Sequence, residues 1–399
     1  MGCIAEDRSA CPHPRSVSVR LTVCPDPITA VTRTTDEEAL RDLNFYLLDA
    51  DGNVVQHRYQ SSPTLRFECL PGNYLLRIAA NMGRDLGENP ASEDFTVTHA
   101  DDYDTLPMAY EGEVSIPSSD ETVTLPTVEV QRVVAKVTYN ISVAPDAGDI
   151  RLHSVQPVNL PARVPVFDPG LRAAEYTAGE IVGSSSQTLT GTFYMLPNLQ
   201  GEVPSIADQR DKGPANAPAD ATFLRIRALR GSKVLDYYIY PGGNNTSNFD
   251  IRANTHYRLD IMIRGDAEVD TRIRAYTVEV LCTPEAALSN GFLLERQPMR
   301  LTLRLGGAYE EAGVEAFVEL KTGDVRYFGF EGQWGAVARP MEIRGPENDY
   351  DIRYWPPSFT REECRFMFRV QILDRYGEVA SFGFPYCYAH LLRVYTKWF

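Results

Sequence analysis

The sequence predicts an all-β protein made of tandem β-sandwich domains, of the immunoglobulin-like kind. Apolar and polar residues alternate with a period of two in many short stretches, which is typical of half-buried strands. The chain also contains 27 prolines and 28 glycines, which separate these stretches as turns. Helical signals are scarce, since only residues 35–43 have the pattern of a short amphipathic turn.

The clearest strand is residues 132–143, RVVAKVTYNISV, in which Val137, Tyr139 and Ile141 share one face with further apolar residues. Such a strand packs one face on a core and leaves the other in water. The same alternation predicts strands in four other places: 16–23, 256–264, 301–305 and 366–372. Asp51-Gly52 predicts a tight type I′ hairpin, because Asp and Gly tolerate the positive φ angles that this turn needs.

Composition divides the chain into three predicted domains. A hinge-like stretch around Pro145 ends the first domain at residue 144, and a break near 265–274 ends the second at residue 272. The predicted domains are therefore 1–144, 145–272 and 273–399. The second contains a long polar loop at 201–221, which is rich in proline and alanine.

Charge and hydropathy exclude some classes of function. The chain of 399 residues carries a formal net charge of −15, which argues against nucleic acid as a ligand, because a phosphate backbone requires clustered Lys and Arg. No apolar stretch reaches the roughly 18 residues of a membrane-spanning helix. The negative charge suits a solvated surface that does not stick to its neighbours.

No motif for catalysis, cofactor binding or metal binding stands out. The six histidines lack the spacing of a metal site, and the nucleophile-elbow and phosphate-loop motifs are missing. The acidic stretch with Glu347, Asp349 and Asp351 lacks the order of a calcium loop and is interpreted as a solvated loop. We therefore expect a non-enzymatic protein with no cofactor.

The cysteines suggest export from the cytoplasm. Cys3 stands at the beginning of the chain, and Met1-Gly2 are interpreted as additions before a mature start at that cysteine. It is either an incidental thiol or the lipid-bearing first residue of a bacterial lipoprotein, for which several acyl chains anchor firmly. An exported protein could form Cys24–Cys69 and Cys282–Cys387 disulfides, although the sequence leaves the pairing open.

Aromatic residues in the third domain have two interpretations. Tyr350, Tyr354, Trp355 and Phe359 stand close together in YDIRYWPPSF. Aromatic rings stack on sugars, but they also fill sandwich cores and subunit contacts, and the second interpretation is the commoner one. Tyr354 and Trp355 are the candidate contacts for a glycan ligand.

Several stretches together resemble the fimbrillin family of Bacteroidetes, which builds type V pili, and within it the lipoprotein anchor and minor subunits. The resemblance covers roughly residues 1–274. These stretches include CLPGNYLLRIAANMG at 69–83, LPMAYEGEVSI at 106–116 followed by RVVAKVTYNISV, FYMLPNLQG at 193–201, Lys212, and YIYPGGNNTSNFDIRANTHYRLDIMIRG. Glu111 lengthens the second motif, and the third lacks a glutamate after Pro197.

The resemblance implies two transthyretin-like sandwiches, a lipid on Cys3 and a place on the outer membrane at the cell surface. Its partners would be pilin subunits, joined when a strand of one subunit fills an incomplete sheet of another. The rival function is a surface glycan-binding or adhesive lipoprotein, which would bind a host or glycan ligand through the third domain. An anchor at the base and a subunit at the tip are not distinguished.

In this family, cleavage after an arginine or lysine removes a strand of the first domain and frees the groove. Residues 16–23 would be that strand here, followed by Arg33. A Cys24–Cys69 disulfide would staple it in place, which favours an anchor or terminal subunit over a stalk pilin. The alternating C-terminal stretch 390–399 is either the last strand of the third domain or a donated strand.

Overall fold

The structure is a computed structural model. It describes residues 15–26, 35–184, 186–231, 233–266, 270–283, 292–293, 299–310, 314–322, 324–354, 363–374, 377–384 and 388–391. It is an all-β fold, as predicted, with 29 strands and four short 3₁₀ helices in the described residues. The 3₁₀ helices are Thr35–Glu38, Ser92–Phe95, Gln209–Asp211 and Val325–Tyr327. No helix in these ranges is long and apolar enough to cross a membrane.

The first unit is a sandwich whose two halves share one core. Its strands are β1 (Val17–Pro25), β2 (Leu43–Leu48), β3 (Val54–Gln60), β4 (Thr64–Cys69), β5 (Gly72–Ala80), β6 (Thr96–Thr98), β7 (Met108–Ile116), β8 (Val123–Thr124) and β9 (Val128–Arg132). The sheet order is β3-β2-β5-β7-β9-β1-β4, with β8 also paired to β1. Phe45 of one half packs against Phe67 of the other, with ring centroids 4.9 Å apart. Burial of such apolar faces stabilises the sandwich.

The second unit packs a three-stranded sheet on a larger one. Its strands are β10 (Ala135–Val143), β11 (Arg151–Pro161), β12 (Arg163–Pro165), β13 (Tyr176–Ala178), β14 (Val182–Gly183), β15 (Thr188–Met195), β16 (Phe223–Arg230), β17 (Lys233–Ile239) and β18 (His256–Ile263). The small sheet has the order β15-β10-β18. Ile141 of this sheet and Ile226 and Leu235 of the other belong to one buried cluster.

The third unit extends the larger sheet of the second. Its strands are β19 (Ile273–Thr283), β20 (Phe292–Leu293), β21 (Met299–Gly307), β22 (Val314–Thr322), β23 (Phe328–Phe330), β24 (Gln333–Trp334), β25 (Ala338–Met341), β26 (Glu347–Tyr354), β27 (Glu363–Asp374), β28 (Gly377–Phe384) and β29 (Tyr388–Leu391). One sheet runs in the order β13-β11-β16-β17-β19-β21-β26-β23-β24. The other runs in the order β20-β29-β27-β22-β25, with β28 also paired to β27.

The strand pairing differs from the predicted domain boundaries. β10, which we assigned to the first domain, pairs with β15 and β18, so it is the first strand of the second unit and not the last of the first. The boundary at 144 therefore falls one strand too late. At 272/273 the sheet is continuous, because β19 pairs with β17 on one side and with β21 on the other.

Two local predictions need correction. The hairpin between β2 and β3 is not a type I′ turn, since of Asp51 and Gly52 only Gly52 has a positive φ, 81°. Asp49 holds the loop instead, because its Oδ1 accepts the backbone N–H groups of Asp51 and Asn53. The acidic stretch with Glu347 and Asp351 is strand β26 and not a loop.

Candidate functional site

The first unit contains a cleft where its two halves separate. β7 pairs with β5 along its whole length, from Gly72–Ile116 to Ala80–Met108. It pairs with β9 only through Met108–Arg132 and Ala109–Gln131. Beyond Ala109, β7 therefore has no strand on its β9 side among the described residues. A cleft of about 880 Å³ lies along this gap, and we call it the first cleft.

The first cleft has an apolar floor and an acidic rim. Leu21 of β1, which is fully buried, and Val128 of β9 are among the apolar residues that line it. Three carboxylates also line it, Glu111 and Glu113 of β7 and Glu129 of β9, against one guanidinium, that of Arg132. An extended segment that entered would find free backbone groups on β7, apolar contacts below and negative charge around it.

β1 beside this cleft has the alternation that the sequence predicts. Val17, Val19, Leu21 and Val23 are each at most 2 % exposed. β1 is antiparallel to β4 on one side, from Val17–Cys69 to Thr22–Thr64. On the other side it is parallel to β8 and β9. β1 is thus an interior strand, and its removal would open a groove between β4 and the β8–β9 side.

The predicted Cys24–Cys69 disulfide is wrong. Both cysteines are free thiols, and Cys69 lies opposite Val17 at one end of β1 while Cys24 lies opposite Glu129 near the other end. Seven residues of extended chain separate Val17 from Cys24, which is about 23 Å at 3.3 Å per residue. A disulfide needs Cα atoms within about 7 Å. Among the described residues, no disulfide therefore holds β1 in place.

A buried polar cluster joins the start of the chain to the second unit. We call it the Arg132 node; it comprises Asp26, Glu37, Arg132, Lys136, Tyr194 and Asn254. Arg132, which is 3 % exposed, donates from Nε to the Glu37 carbonyl at 3.0 Å and from Nη1 to the Asp26 carbonyl at 2.8 Å. The Asp26 and Glu37 carbonyls lie on either side of residues 27–34, so Arg132 binds the chain on both sides of that stretch.

The carboxylate of Glu37 accepts two hydrogen bonds within the Arg132 node. Its Oε1 accepts from Lys136 Nζ at 2.6 Å and from the Tyr194 hydroxyl at 2.6 Å. Burial, together with the hydrogen bond to Glu37, raises the pKa of Tyr194. Burial lowers the pKa of Arg132, but a guanidinium remains charged in proteins. Sequence reasoning missed this node, because its members are far apart in the chain.

Lys212, one of the resemblance residues, holds the long loop of the second unit. Its Nζ donates to the carbonyls of Asn244 and Asn248 at 2.8 and 2.7 Å. The ammonium also lies 4.9 Å from the centre of the Phe249 ring. Lys212 is only 3 % exposed, and this burial lowers the pKa of its amine to about 8.

The structure does not describe the side chains of most other predicted site residues. Cys3, Cys387 and Trp355 lie outside the described residues, as does Arg33. Cys282 is in β19 and Tyr354 ends β26, but their side chains are not described, so the Cys282–Cys387 disulfide and the glycan contacts stay predictions. Of the C-terminal stretch, His390–Leu391 belong to β29, which pairs with β27 and β20.

The described residues offer neither an exposed aromatic platform at Tyr350 nor a metal site. Tyr350 of the aromatic group is 2 % exposed and packs with Phe330, so it belongs to the core and not to a surface platform. Within the described ranges there is no group of three or more His, Cys, Asp or Glu residues that could hold a metal ion.

Part of the second unit matches a known family of protein domains. Residues 193–261 match a domain-family model described as a domain of unknown function, DUF4906. This range includes Lys212 and most of β18. A search of curated proteins gives no match.

Among solved structures, the chain is similar to the tip fimbrial protein Mfa3 of Porphyromonas gingivalis, with 17% identity, a TM-score of 0.44, and coverage of 65% of this chain and 98% of that one. It is similar to a fimbrilin, FimA, from Porphyromonas gingivalis W83, with 13% identity, a TM-score of 0.43, and coverage of 65% and 95%. It is also similar to the fimbrial anchor protein Mfa2 of Porphyromonas gingivalis, with 11% identity, a TM-score of 0.32, and coverage of 53% and 78%. Likeness at this level does not by itself assign a function to the chain.

Proposed function

We propose that the chain is a non-enzymatic subunit of a bacterial cell-surface fimbria, joined to pilin subunits by β-strand complementation. The observation that carries this proposal is the first cleft, where β7 beyond Ala109 has one unpaired side above an apolar floor. An incoming strand would add ladder hydrogen bonds to β7 and place alternate side chains on the floor. The resemblance of residues 1–274 to fimbrillins supports the same function.

The charge of the first cleft specifies the partner strand. Glu113 and Glu129 on its rim would repel an acidic segment and attract one with Lys or Arg on its outer face, whereas the charge of Glu111 is already paired with Arg77. We therefore propose that a basic, alternating strand of a pilin subunit binds there.

β1 stays in place in this proposal, although no disulfide between cysteines that the structure describes holds it. Four buried apolar side chains and pairing on both sides hold it instead. A subunit that keeps β1 would be an anchor, a minor subunit or a tip subunit and not a stalk pilin. Mass spectrometry of the mature protein from the cell envelope tests this, since an N-terminus created by cleavage after Arg20 or Arg33 would contradict it.

A lipid on Cys3 would tether the chain to the outer membrane, at the cell surface. Metabolic labelling with an alkyne fatty acid should mark the native protein, and Cys3→Ser should abolish the label and release the protein from the membrane fraction. An equally labelled Cys3→Ser protein would contradict lipidation at that residue.

Photo-crosslinking tests strand complementation directly. p-Benzoylphenylalanine at Ser115, an exposed residue of β7 that lines the first cleft, should crosslink to a pilin in the sheared pilus fraction. The control is the same probe at Ser61, which is exposed in the turn between β3 and β4, away from the first cleft. Intact pili with no crosslink from Ser115, or equal crosslinks from both positions, would contradict the proposal.

The glycan-binding alternative depends on Tyr354 and Trp355. No contact of either side chain is described, so it remains a prediction from sequence. Retention on a polysaccharide column that Trp355→Ala abolishes would support it.

A further inference from the structure

The second unit has an open sheet edge of its own. Among the described residues, β18 pairs with β10 alone, in parallel, from Lys136–His256 to Val143–Ile263. The carbonyls of Thr255 and Ile263 accept from the backbone N–H groups of Lys136 and Ala144. Because successive residues of a strand direct their backbone groups to opposite sides, the N–H and C=O groups of Arg258, Asp260 and Met262 point away from β10.

A second cleft, of about 840 Å³, lies along this edge. Its lining includes apolar side chains from three places: Leu259 and Ile261 of β18, Ile239 of β17 and Ile273 of β19. All four pack against the buried cluster of the second unit, yet all remain partly exposed. The core is therefore incompletely covered on the side where β18 lacks a neighbouring strand.

The second cleft is basic. Five cations line it, against two carboxylates, those of Asp260 and Asp270. The cations are Arg210, Lys212, Arg258, Arg264 and Arg272. Arg210 binds Asp208, and Arg272 binds Asp270.

Lys212 is buried and donates to two backbone carbonyls, which leaves two exposed cations without an ion pair among the described residues. Arg258 and Arg264 are exposed, and neither forms an ion pair with a described residue. Arg258 lies on the outward face of β18 and Arg264 directly follows the strand, six residues further on, which is about 20 Å of extended chain. Charged side chains on an edge discourage pairing with a like-charged strand, and for the same reason they favour an oppositely charged one.

We propose that the second cleft binds an extended, acidic segment of another polypeptide as an added strand on β18. The segment would alternate apolar residues, facing Leu259 and Ile261, with outward residues that include carboxylates near Arg258 and Arg264. The chain's own C-terminal stretch 390–399 does not fit, since its charged residues are Arg393 and Lys397. This site is separate from the first cleft and does not depend on the fimbrial function.

Fluorescence anisotropy with two labelled peptides and the full chain tests the proposal. The acidic probe TVEVTVTVEV places glutamates six residues apart, matching the spacing of Arg258 and Arg264, and the basic probe TVKVTVTVKV replaces both with lysine. We expect the acidic probe to bind at least about tenfold more tightly, and Arg258→Glu with Arg264→Glu to reverse the preference. Equal binding of both probes would overturn the proposal.

A backbone variant separates strand addition from simple charge attraction. Met262 is 54 % exposed, and its N–H points into the cleft, so Met262→Pro removes one edge donor without affecting the pairing with β10. We expect Met262→Pro to weaken the acidic probe about tenfold, and Met262→Val, which keeps the N–H, to bind like the original chain. Unchanged binding by Met262→Pro, with its fold confirmed by circular dichroism, would overturn strand addition.

Discussion

The two clefts have the same architecture and opposite charge. Their volumes are about 880 and 840 Å³, and each lies along a strand that lacks a neighbour on one side. The first is lined by three carboxylates and one guanidinium, and the second by five cations and two carboxylates. In the two proposals, the open edge sets the mode of binding, whereas the rim charges decide which strand binds. Two sites with opposite charge would bind different partners and would not compete for one.

The clefts also differ in the burial of the apolar residues that line them. The first adjoins the fully buried Leu21 of β1 and the Arg132 node. Several apolar side chains that line the second, among them Leu259 and Ile261, stay partly exposed. Substitutions of the buried residues beside the first cleft should therefore affect folding, and those of the partly exposed residues in the second should mainly affect binding.

The largest expected effect is at the Arg132 node. Glu37→Ala removes the carboxylate that pairs with Lys136, and Glu37 is only 4 % exposed. Removing one partner of a buried ion pair costs about 3–5 kcal/mol, because the other charge stays buried without compensation. Denaturant unfolding measures this loss.

Glu111→Ala is the control, because it removes the carboxylate of an exposed ion pair, on the rim of the first cleft. Glu111 pairs with Arg77, but the two side chains are 37% and 31% exposed. An exposed ion pair contributes about 0–1 kcal/mol, so this variant should unfold almost like the original chain. If Glu37→Ala and Glu111→Ala lost the same free energy of unfolding, burial would not explain the stability of the Glu37–Lys136 ion pair.

A smaller contrast compares one residue type in both clefts. Leu21→Ala should cost about 2–5 kcal/mol, since Leu21 is fully buried between the sheets. Leu259→Ala should cost about 1 kcal/mol, because part of its side chain is already in water. Thermal and denaturant unfolding of both variants measure this difference. A loss at Leu259 as large as that at Leu21 would mean that the second cleft is closed in solution.

Sequence reasoning found the strands because alternation is a local signal. Residues 16–23 and 256–264 were predicted as strands and are β1 and β18 within two residues at each end. The clefts could not be predicted in the same way. They depend on which strands remain unpaired, and the separation of β7 from β9 beyond Ala109 leaves no mark in either strand's own residues.

The site residues show the same division between local and long-range information. Two cysteines in a protein expected to be exported suggested a Cys24–Cys69 disulfide. The pairing register, however, places them at opposite ends of β1. The Arg132 node was missed because Glu37 and Lys136 meet only when the two units pack together. Lys212 was noticed only through the family resemblance, since a lone lysine in a polar loop gives no sign of burial.

The smallest predicted contrast in stability between the two clefts concerns the pH dependence of their buried cations. The first has Arg132, which stays charged at all accessible pH values. The second has Lys212, whose pKa is lowered from 10.5 to about 8 by burial. Between about pH 8 and pH 10.5, Lys212 is protonated in the unfolded chain but has lost its proton in the folded chain. The free energy of unfolding therefore rises with pH in this window. Below about pH 8 both states are protonated, and the contribution no longer changes.

Comparison with Lys212→Met isolates this contribution from all other titrating groups. From pH 7.5 to 9.5, the unfolding free energy of the original chain should rise by about 1–2 kcal/mol relative to that of Lys212→Met. Denaturant titrations at the two pH values measure the difference. An acidic strand in the second cleft would favour the charged amine, so the saturating acidic probe should shrink this rise, whereas a basic strand in the first cleft should leave it unchanged. A rise that neither the probe nor the substitution alters would show that Lys212 does not titrate in this window.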